Sequence, residues 1–486
     1  VVVIYAKAFL FKLLQQTRKQ NRPAIVINPN YTIQPPTMQP RTSIPPNTSP
    51  SFQTRRYIAV VTKFWISQSG AVIWAGISVI LSQNWLHDLS QAIGFFPAVL
   101  IIAFIAYIPG YLVAFLTISL LIDRQPPFKV SDPDLPVTIL IAARNEAQNI
   151  GMTLQYVANQ EYKGPITIVL VDNGSTDGTA NIAQSKAKEL KLDLQCIHES
   201  RPGKNFALNA GLTKILTSCF ITLDADTLLH RQAVKNIVAR LLSSPPDVGA
   251  VAGHVLVRNS RENFLTRIQE WDYFLGIASV KRMQGLYQGT LVAQGAFSLY
   301  KTDAVRQAGG WPDAIGEDIV LTWRLQREGY RVYFEPAAVA FTVVPKISKH
   351  FFRQRSRWAR GMIEGIKNIF PWQQPTYMKK FLTGIDLIIP VIDVFYTFVW
   401  IPGLILAFFG KYYIVGPYTL FVLPLNMGIN LIMLSYQKKI FDRLNLRIRK
   451  NRLGFFAYVL VYQLISSPVS IWGYLQELFQ TRRVWR

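Results

Sequence analysis

The apolar run Ala98–Ile122 contains no charged residue, and about 20 apolar residues suffice to cross the hydrocarbon core of a bilayer. That stretch makes the first decision about the fold: part of this chain belongs in a membrane. A second apolar stretch, near Ile58–Leu86, precedes it and is interrupted by Lys63 and by Ser67-Gln68-Ser69-Gly70. Later in the chain come Phe381–Gly410, Tyr412–Tyr436 and Phe455–Leu475, so two to three further spans are expected. Composition agrees, because only 16% of residues are charged, against about a quarter in soluble domains. Asp386 and Asp393 lie in the first C-terminal run. Acids at membrane depth point to a lined path, although Asp386 equally suits the interface. Ser466-Ser-Pro-Val-Ser470 divides the last run and leaves two readings, a third span or a re-entrant or interfacial piece.

Charge supplies the orientation. The net charge is +24, from 52 Lys+Arg against 28 Asp+Glu, an excess that suits nucleic acid, an anionic membrane surface or an anionic substrate. Here the basic residues sit beside the apolar runs: Arg55 and Arg56 before the first pair, Arg124 and Lys129 after it, and a cluster from Lys438 to Arg452. That placement favours a lipid bilayer and a nucleotide as partners, and no nucleic acid. The positive-inside tendency then puts the middle of the chain in the cytoplasm, whereas a third C-terminal span would place Arg482-Arg483 outside. With Cys196 and Cys219 as its cysteines, the chain suits a reducing compartment. The five histidines never pair at zinc-ligand spacing. Residues 1–21 mix apolar and basic side chains, and residues 22–54, with eight prolines, read as a disordered linker.

From Pro136 the pattern changes to short apolar strands alternating with helices. Strands are expected at Val137–Ala143, Ile166–Val171, Leu194–His198, Phe220–Leu223 and Val248–Val257. Helices are expected at Asn145–Gln160, Thr176–Leu190, Lys204–Leu216 and Arg231–Leu242. Such alternation implies a mostly parallel sheet covered on both faces, in which ligands bind at the carboxyl ends of the strands.

Several polar residues stand at those ends. Phe220–Leu223 runs into Asp224-Ala-Asp226. Side chains at i and i+2 of an extended segment share a side, so the two carboxylates are expected to converge. Hard oxygen ligands of this kind suit Mg²⁺ or Mn²⁺ carrying a diphosphate. Asp172, at the end of Ile166–Val171, precedes Asn-Gly-Ser-Thr, where Ser175 or Thr176 is expected to cap the next helix. Glu146 holds the same position after the first strand, and Lys204 precedes a helix where it can meet a phosphate. Asp318 opens the helix Ile319–Glu328, as an N-cap or as a general base. The basic, aromatic segment Lys346–Phe370 reads as an interfacial amphipathic helix. Within it, Arg357 can fork onto diphosphate oxygens and Trp358 can stack on a sugar ring.

Asp172-Asn-Gly, Asp224-Ala-Asp226, Gly316-Glu-Asp318 and Gln354-x-x-Arg357-Trp358 occur in that order. From about Pro136 to the C-terminus the chain resembles the processive family 2 glycosyltransferases, which make cellulose, chitin, hyaluronan and poly-N-acetylglucosamine. The run from Glu317 through Gly361 looks most like the bacterial poly-β-1,6-N-acetylglucosamine synthases. The resemblance implies an α/β GT-A nucleotide-sugar transferase domain inserted between N- and C-terminal transmembrane helices. It divides the chain into a tail (1–54), two spans (55–124), a cytoplasmic transferase domain (130–345), interface helices (346–378) and a C-terminal membrane region (379–486). It implies that Glu146, Asp172 and Lys204 bind the nucleotide end, that Asp224 binds nucleotide, and that Asp226 is the chief ligand of Mg²⁺ or Mn²⁺. Asp318 becomes the base; Gln354, Arg357 and Trp358 hold the diphosphate and the acceptor's terminal sugar; Gln294 and Gly295 match an acceptor-contacting loop that follows a strand. The base motif reads Gly-Glu-Asp where Thr-Glu-Asp is common in the family.

The implied activity is transfer from a UDP-sugar, UDP-N-acetylglucosamine by the nearest resemblance, to a growing polysaccharide that is then extruded. The implied setting is a bacterial inner membrane, with room for a small membrane partner subunit. Transfer of one sugar to a lipid is the alternative, and the Gln-x-x-Arg-Trp element and the C-terminal spans argue against it. A non-catalytic scaffold or transporter would predict decay of the acidic motifs, which are intact.

Overall fold

The computed structural model describes residues 58–123, 125–416, 419–448 and 450–481. The tail at 1–54, Arg124 and Arg482-Arg483 lie outside these. Eight strands form one sheet, in chain order β1 (Val137–Ala143), β2 (Ile166–Asp172), β3 (Asp193–His198), β4 (Cys219–Leu223), β5 (Leu228–Leu229), β6 (Val248–Val257), β7 (Phe297–Lys301) and β8 (Arg331–Thr342). The spatial order is β3-β2-β1-β4-β7-β6-β8-β5. β3, β2, β1 and β4 run parallel, β7 is antiparallel to both neighbours, and β6 pairs β8 in parallel.

β4 and β6 are buried along their whole length. Strands covered on both faces must be apolar on both, which explains continuous runs such as Cys219-Phe-Ile-Thr-Leu223. One core cluster holds Ile139, Ile141, Leu154, Ile168, Ile221 and Val251, and another holds Leu140, Val169, Leu208, Phe220, Trp311 and Leu321. Alternate residues of β1 and β4 therefore feed opposite faces, as the two-residue period requires.

Two helix starts fall later than expected. Asn145 takes a left-handed conformation (φ 56°) and the helix begins only at Ile150. Gly178 does the same (φ 83°) and delays the next helix to Thr179. Ser175 and Thr176 therefore cap nothing. Ser175 Oγ instead accepts from Asn145 N–H at 3.0 Å, and Thr176 N–H donates to Asn145 Oδ1 at 2.9 Å. Gln294-Gly295 was expected after a strand; it precedes β7, because the chain before it reaches β8 only through an isolated bridge at Gly289.

Four described helices are long and apolar enough to cross a membrane: Val60–Leu81, Phe95–Leu121, Tyr377–Phe408 and Arg452–Leu478. The first passes unbroken through Lys63 and Ser67-Gln68-Ser69-Gly70, which are tolerated because the polar groups find partners. Ser67 on the first of these helices and Ser119 on the second both bond to Tyr287 Oη. The last helix also runs through Ser466-Ser-Pro-Val-Ser470 without a break; spans admit proline where neighbours satisfy the freed backbone. A further helix, Thr419–Arg443, covers most of the expected Tyr412–Tyr436 run. Phe64, Phe115, Tyr287, Trp323 and Leu382 share one apolar cluster, which joins the membrane helices to the sheet domain.

Candidate active site

β1, β2 and β4 end side by side, with Asp172 as the last residue of β2 and Glu146 and Asp224 in the loops that leave β1 and β4. This is the crevice where strand order reverses about β1. Asp172 closes β2 and is almost fully buried; its Oδ1 accepts from Ser175 N–H at 3.2 Å, and its Oδ2 stands 3.4 Å from His198 Nδ1. The neighbouring Asn173 laces the site together. Its amide donates to the carbonyls of Glu199 and Arg201, and its Oδ1 accepts from Gly203 N–H at 2.9 Å. That bond fixes the loop that delivers Lys204. The sequence offered no sign of it, because the partners lie about thirty residues away in the chain.

Asp224 and Asp226 meet in a turn, not along an extended strand. β4 stops at Leu223, and Thr227 N–H bonds back to Asp224 O at 3.0 Å. The i, i+2 strand argument therefore gives the wrong reason for their convergence. Lys204 Nζ pairs with Asp224 Oδ1 at 2.5 Å. Burial works against the ammonium charge, but Asp224, Glu317 and Asp318 outweigh it and raise the lysine pKa. Burial, with Asp224 and Glu146 close by, pushes Asp226 up to about 6. Its Oδ1 accepts from the hydroxyls of Thr227 and Thr342 at 3.2 and 3.3 Å. Glu146, half-buried and held by Asn149 Nδ2 at 2.8 Å, is raised by burial as well.

A hard cation fits this donor set. Asp224 and Glu146 raise the cost of ionising Asp226, which a divalent ion would relieve. Among the described residues no group of three or more His, Cys, Asp or Glu is arranged to hold a metal by itself. Mg²⁺-type ions are commonly held by one or two carboxylates and completed by substrate phosphates, which Asp224 and Asp226 can provide.

Asp318 is the second residue of the helix Glu317–Arg327, whose N-cap is Gly316. It is not a cap itself. Its Oδ2 accepts from Gly295 N–H at 3.4 Å and its Oδ1 from Ile319 N–H at 2.9 Å. The loop before β7 is pinned on several sides: Lys281 Nζ donates to Val292 O, Ala293 N–H to Thr322 Oγ1, and Gln294 Nε2 to Gly253 O. Gln294 thus spends its amide on the sheet. A side chain at Gly295 would meet Lys204 Nζ at 2.8 Å, so glycine there lets the lysine lie across the loop toward Asp224. Glu317 is buried, and burial together with Asp318 raises its pKa.

The interfacial helix appears as Ser348–Asn368. A Cβ on Gly316 would lie 2.5 Å from Gly361 Cα. The helix therefore meets the Gly316 loop backbone to backbone, and Glu364 Oε2 accepts from Gly316 N–H at 2.9 Å. A side chain at position 316 would be excluded by this contact. Arg357 is exposed, with no hydrogen bond or ion pair among the described residues, and Gln354 Oε1 is buried without a partner. Both are available to a ligand. Trp358 packs beside Tyr273, with the Arg355 guanidinium 4.2 Å from its ring centre. Arg355 in turn pairs with Asp272 at 2.8 Å, an acid that also accepts from Tyr462 Oη. Neither Asp272 nor Lys281 carries a local sequence signal, since each meets its partners only in the fold.

Residues 133–361 match the family model for glycosyltransferase like family 2, so this segment carries a domain of that family. Over 245 residues it is 34% identical to the poly-beta-1,6-N-acetyl-D-glucosamine synthase of Staphylococcus aureus strain COL, matching 49% of this chain and 57% of that protein. It is 32% identical over 248 residues to the synthase of the same name from Staphylococcus epidermidis, covering 51% and 58%. The chain thus spans somewhat over half the length of the curated relatives it matches. A mannosyltransferase from Pyrobaculum calidifontis, solved with GDP-Man and Mn²⁺, shares the fold with a TM-score of 0.54 at 20% identity, over 79% of this chain and 99% of that one.

Proposed function

We propose that this protein is a membrane polysaccharide synthase that transfers sugar from a UDP-sugar, UDP-N-acetylglucosamine first among candidates, to a growing chain. The observation that supports this most is the meeting of Lys204, Asp224, Asp226 and Asp318 at one crevice. Lys204 is ion-paired with Asp224 there, and Glu317 and Asp318 add to the charge around it. The relatives named above are poly-N-acetylglucosamine synthases, and the mannosyltransferase of like fold was solved with a nucleotide sugar and Mn²⁺.

In this reading Glu146, Asp172 and Asp224 take the nucleotide end of the donor. Lys204 and Arg357 balance charge that develops on the departing diphosphate, which is electrostatic catalysis aimed at the leaving group. Mg²⁺ or Mn²⁺ on Asp226 and Asp224 would supply further charge neutralisation there. Asp318 takes the proton of the acceptor hydroxyl. The oxygen attacks the anomeric carbon from the face opposite the diphosphate, the bond to UDP breaks with its electron pair, and the centre inverts. Trp358 and Gln294-Gly295 hold the acceptor's last sugar. The transferase domain (130–345) faces the cytoplasm, with the interface helices (346–378) leading the product toward the spans on either side.

The test is to supply membranes containing the full chain with labelled UDP-sugars and Mg²⁺ or Mn²⁺ and to size the product. A long glycan from UDP-N-acetylglucosamine is expected. A single sugar on a lipid would overturn the polymerase reading.

A further inference from the structure

A cavity of about 180 Å³ lies away from the active site, lined by Arg261, Arg267, Lys450, Asn451, Arg452 and Leu453. Four of these six residues are cationic. Arg261 Nη1 pairs with Glu270 Oε2 at 2.8 Å, and Asn451 Nδ2 donates to the same oxygen at 2.7 Å. Arg261 Nη2 is left buried without a hydrogen-bond partner. Arg267, Lys450 and Arg452 are exposed, and none has an ion-pair partner among the described residues. Glu270 thus pairs with one of the four cations and leaves the other three without an ion-pair partner among the described residues. Asn451 caps the last membrane helix through Gly454 N–H, bonds to Arg267 O at 2.8 Å, and accepts from Trp271 Nε1 through its carbonyl at 2.8 Å.

The surroundings are apolar and equally exposed. Leu453 is 61%, Phe456 42% and Leu460 51% accessible along the helix Arg452–Leu478, and Phe264 is 49% accessible beside Arg261. A cationic concavity at the first turn of a membrane-crossing helix, with Leu453 in its lining and further exposed apolar side chains along that helix, matches a lipid in both its parts. The acyl chains meet the apolar side chains, and the phosphate meets the arginines and lysine. A free anion would have no use for the apolar side chains.

We propose that this pocket binds the headgroup of an anionic phospholipid, joining the loop after β6 to the start of the last span. The proposal is independent of which sugar the active site uses. It is tested on the purified, delipidated full chain by native mass spectrometry during titration with phosphatidylglycerol or phosphatidylcholine. Phosphatidylglycerol is expected to be retained at lower concentration, and Arg261→Gln, Arg267→Gln and Lys450→Gln are each expected to weaken it about fivefold. Lys450 and Arg267 are exposed, so their variants test the site even where Arg261→Gln disturbs the fold. Equal retention of the neutral lipid, or unchanged retention in the Lys450 and Arg267 variants, would overturn the proposal. So would displacement of phosphatidylglycerol by inorganic phosphate at comparable concentration, which would mark a free-anion site.

Discussion

His254 shows how much one buried side chain can dictate. It lies on β6, fully enclosed, with Nδ1 at 3.2 Å from Pro336 O and no partner for Nε2. Burial, then nearby Arg282 and Lys281, hold its pKa down at about 4 despite that bond. The folded protein therefore binds the proton more weakly than the unfolded chain, whose value is near 6.5. Its contribution to stability is complete above that unfolded value and is lost as pH falls toward 4, by about 3 kcal/mol at most. Thermal denaturation between pH 7 and 4 is expected to show this loss, and His254→Gln to show a flatter profile. A wild-type and variant of equal slope would assign the acid sensitivity elsewhere. The polar positions of the site were largely legible in the sequence, because strand ends and turn residues mark where side chains face a crevice. Their supports were not: Asn173, Glu364 and Asp272 act on partners that only the fold brings near.

Among the elements, the contact between Gly316 and Gly361 joins the helix that carries Asp318 to the helix Ser348–Asn368. A methyl group on Gly361 would meet Gly316 Cα at 2.8 Å, and because both partners are backbone, a helix has to move. A displacement approaching 1 Å at a reacting group costs about 10²-fold in rate. Gly361→Ala is expected to lower kcat by about that factor while nucleotide affinity, measured by calorimetry, changes little. A variant of normal kcat would show that the two helices adjust without disturbing Asp318. The strands were readable because their runs are apolar on both faces, and β7 and β8 were less so because their pairing is set by partners far along the chain. The Asp224-Ala-Asp226 turn shows the limit of period arguments: the carboxylates converge, but through a turn bond that residue spacing does not reveal.

At the scale of the molecule, the membrane helices and the transferase domain share one apolar cluster, and the C-terminal spans are tied by a polar knot. Asp393 accepts from Ser467 Oγ at 2.6 Å and from Tyr474 Oη at 2.8 Å, so it bonds to the neighbouring helix where the sequence suggested a lined path. Asp393→Leu removes both bonds and is expected to cost about 1–2 kcal/mol, seen as a lower midpoint of thermal aggregation in detergent. No change in midpoint would remove the knot from the account. The central claim, however, is chemical: Asp318 takes the acceptor's proton, and the nucleotide is held by other residues. Transfer and UDP binding measured on the same preparation of Asp318→Asn test it most directly. The account predicts transfer reduced by about 10²–10⁴-fold with UDP affinity close to that of the wild type. Retained transfer, or loss of UDP binding along with it, would contradict the assignment.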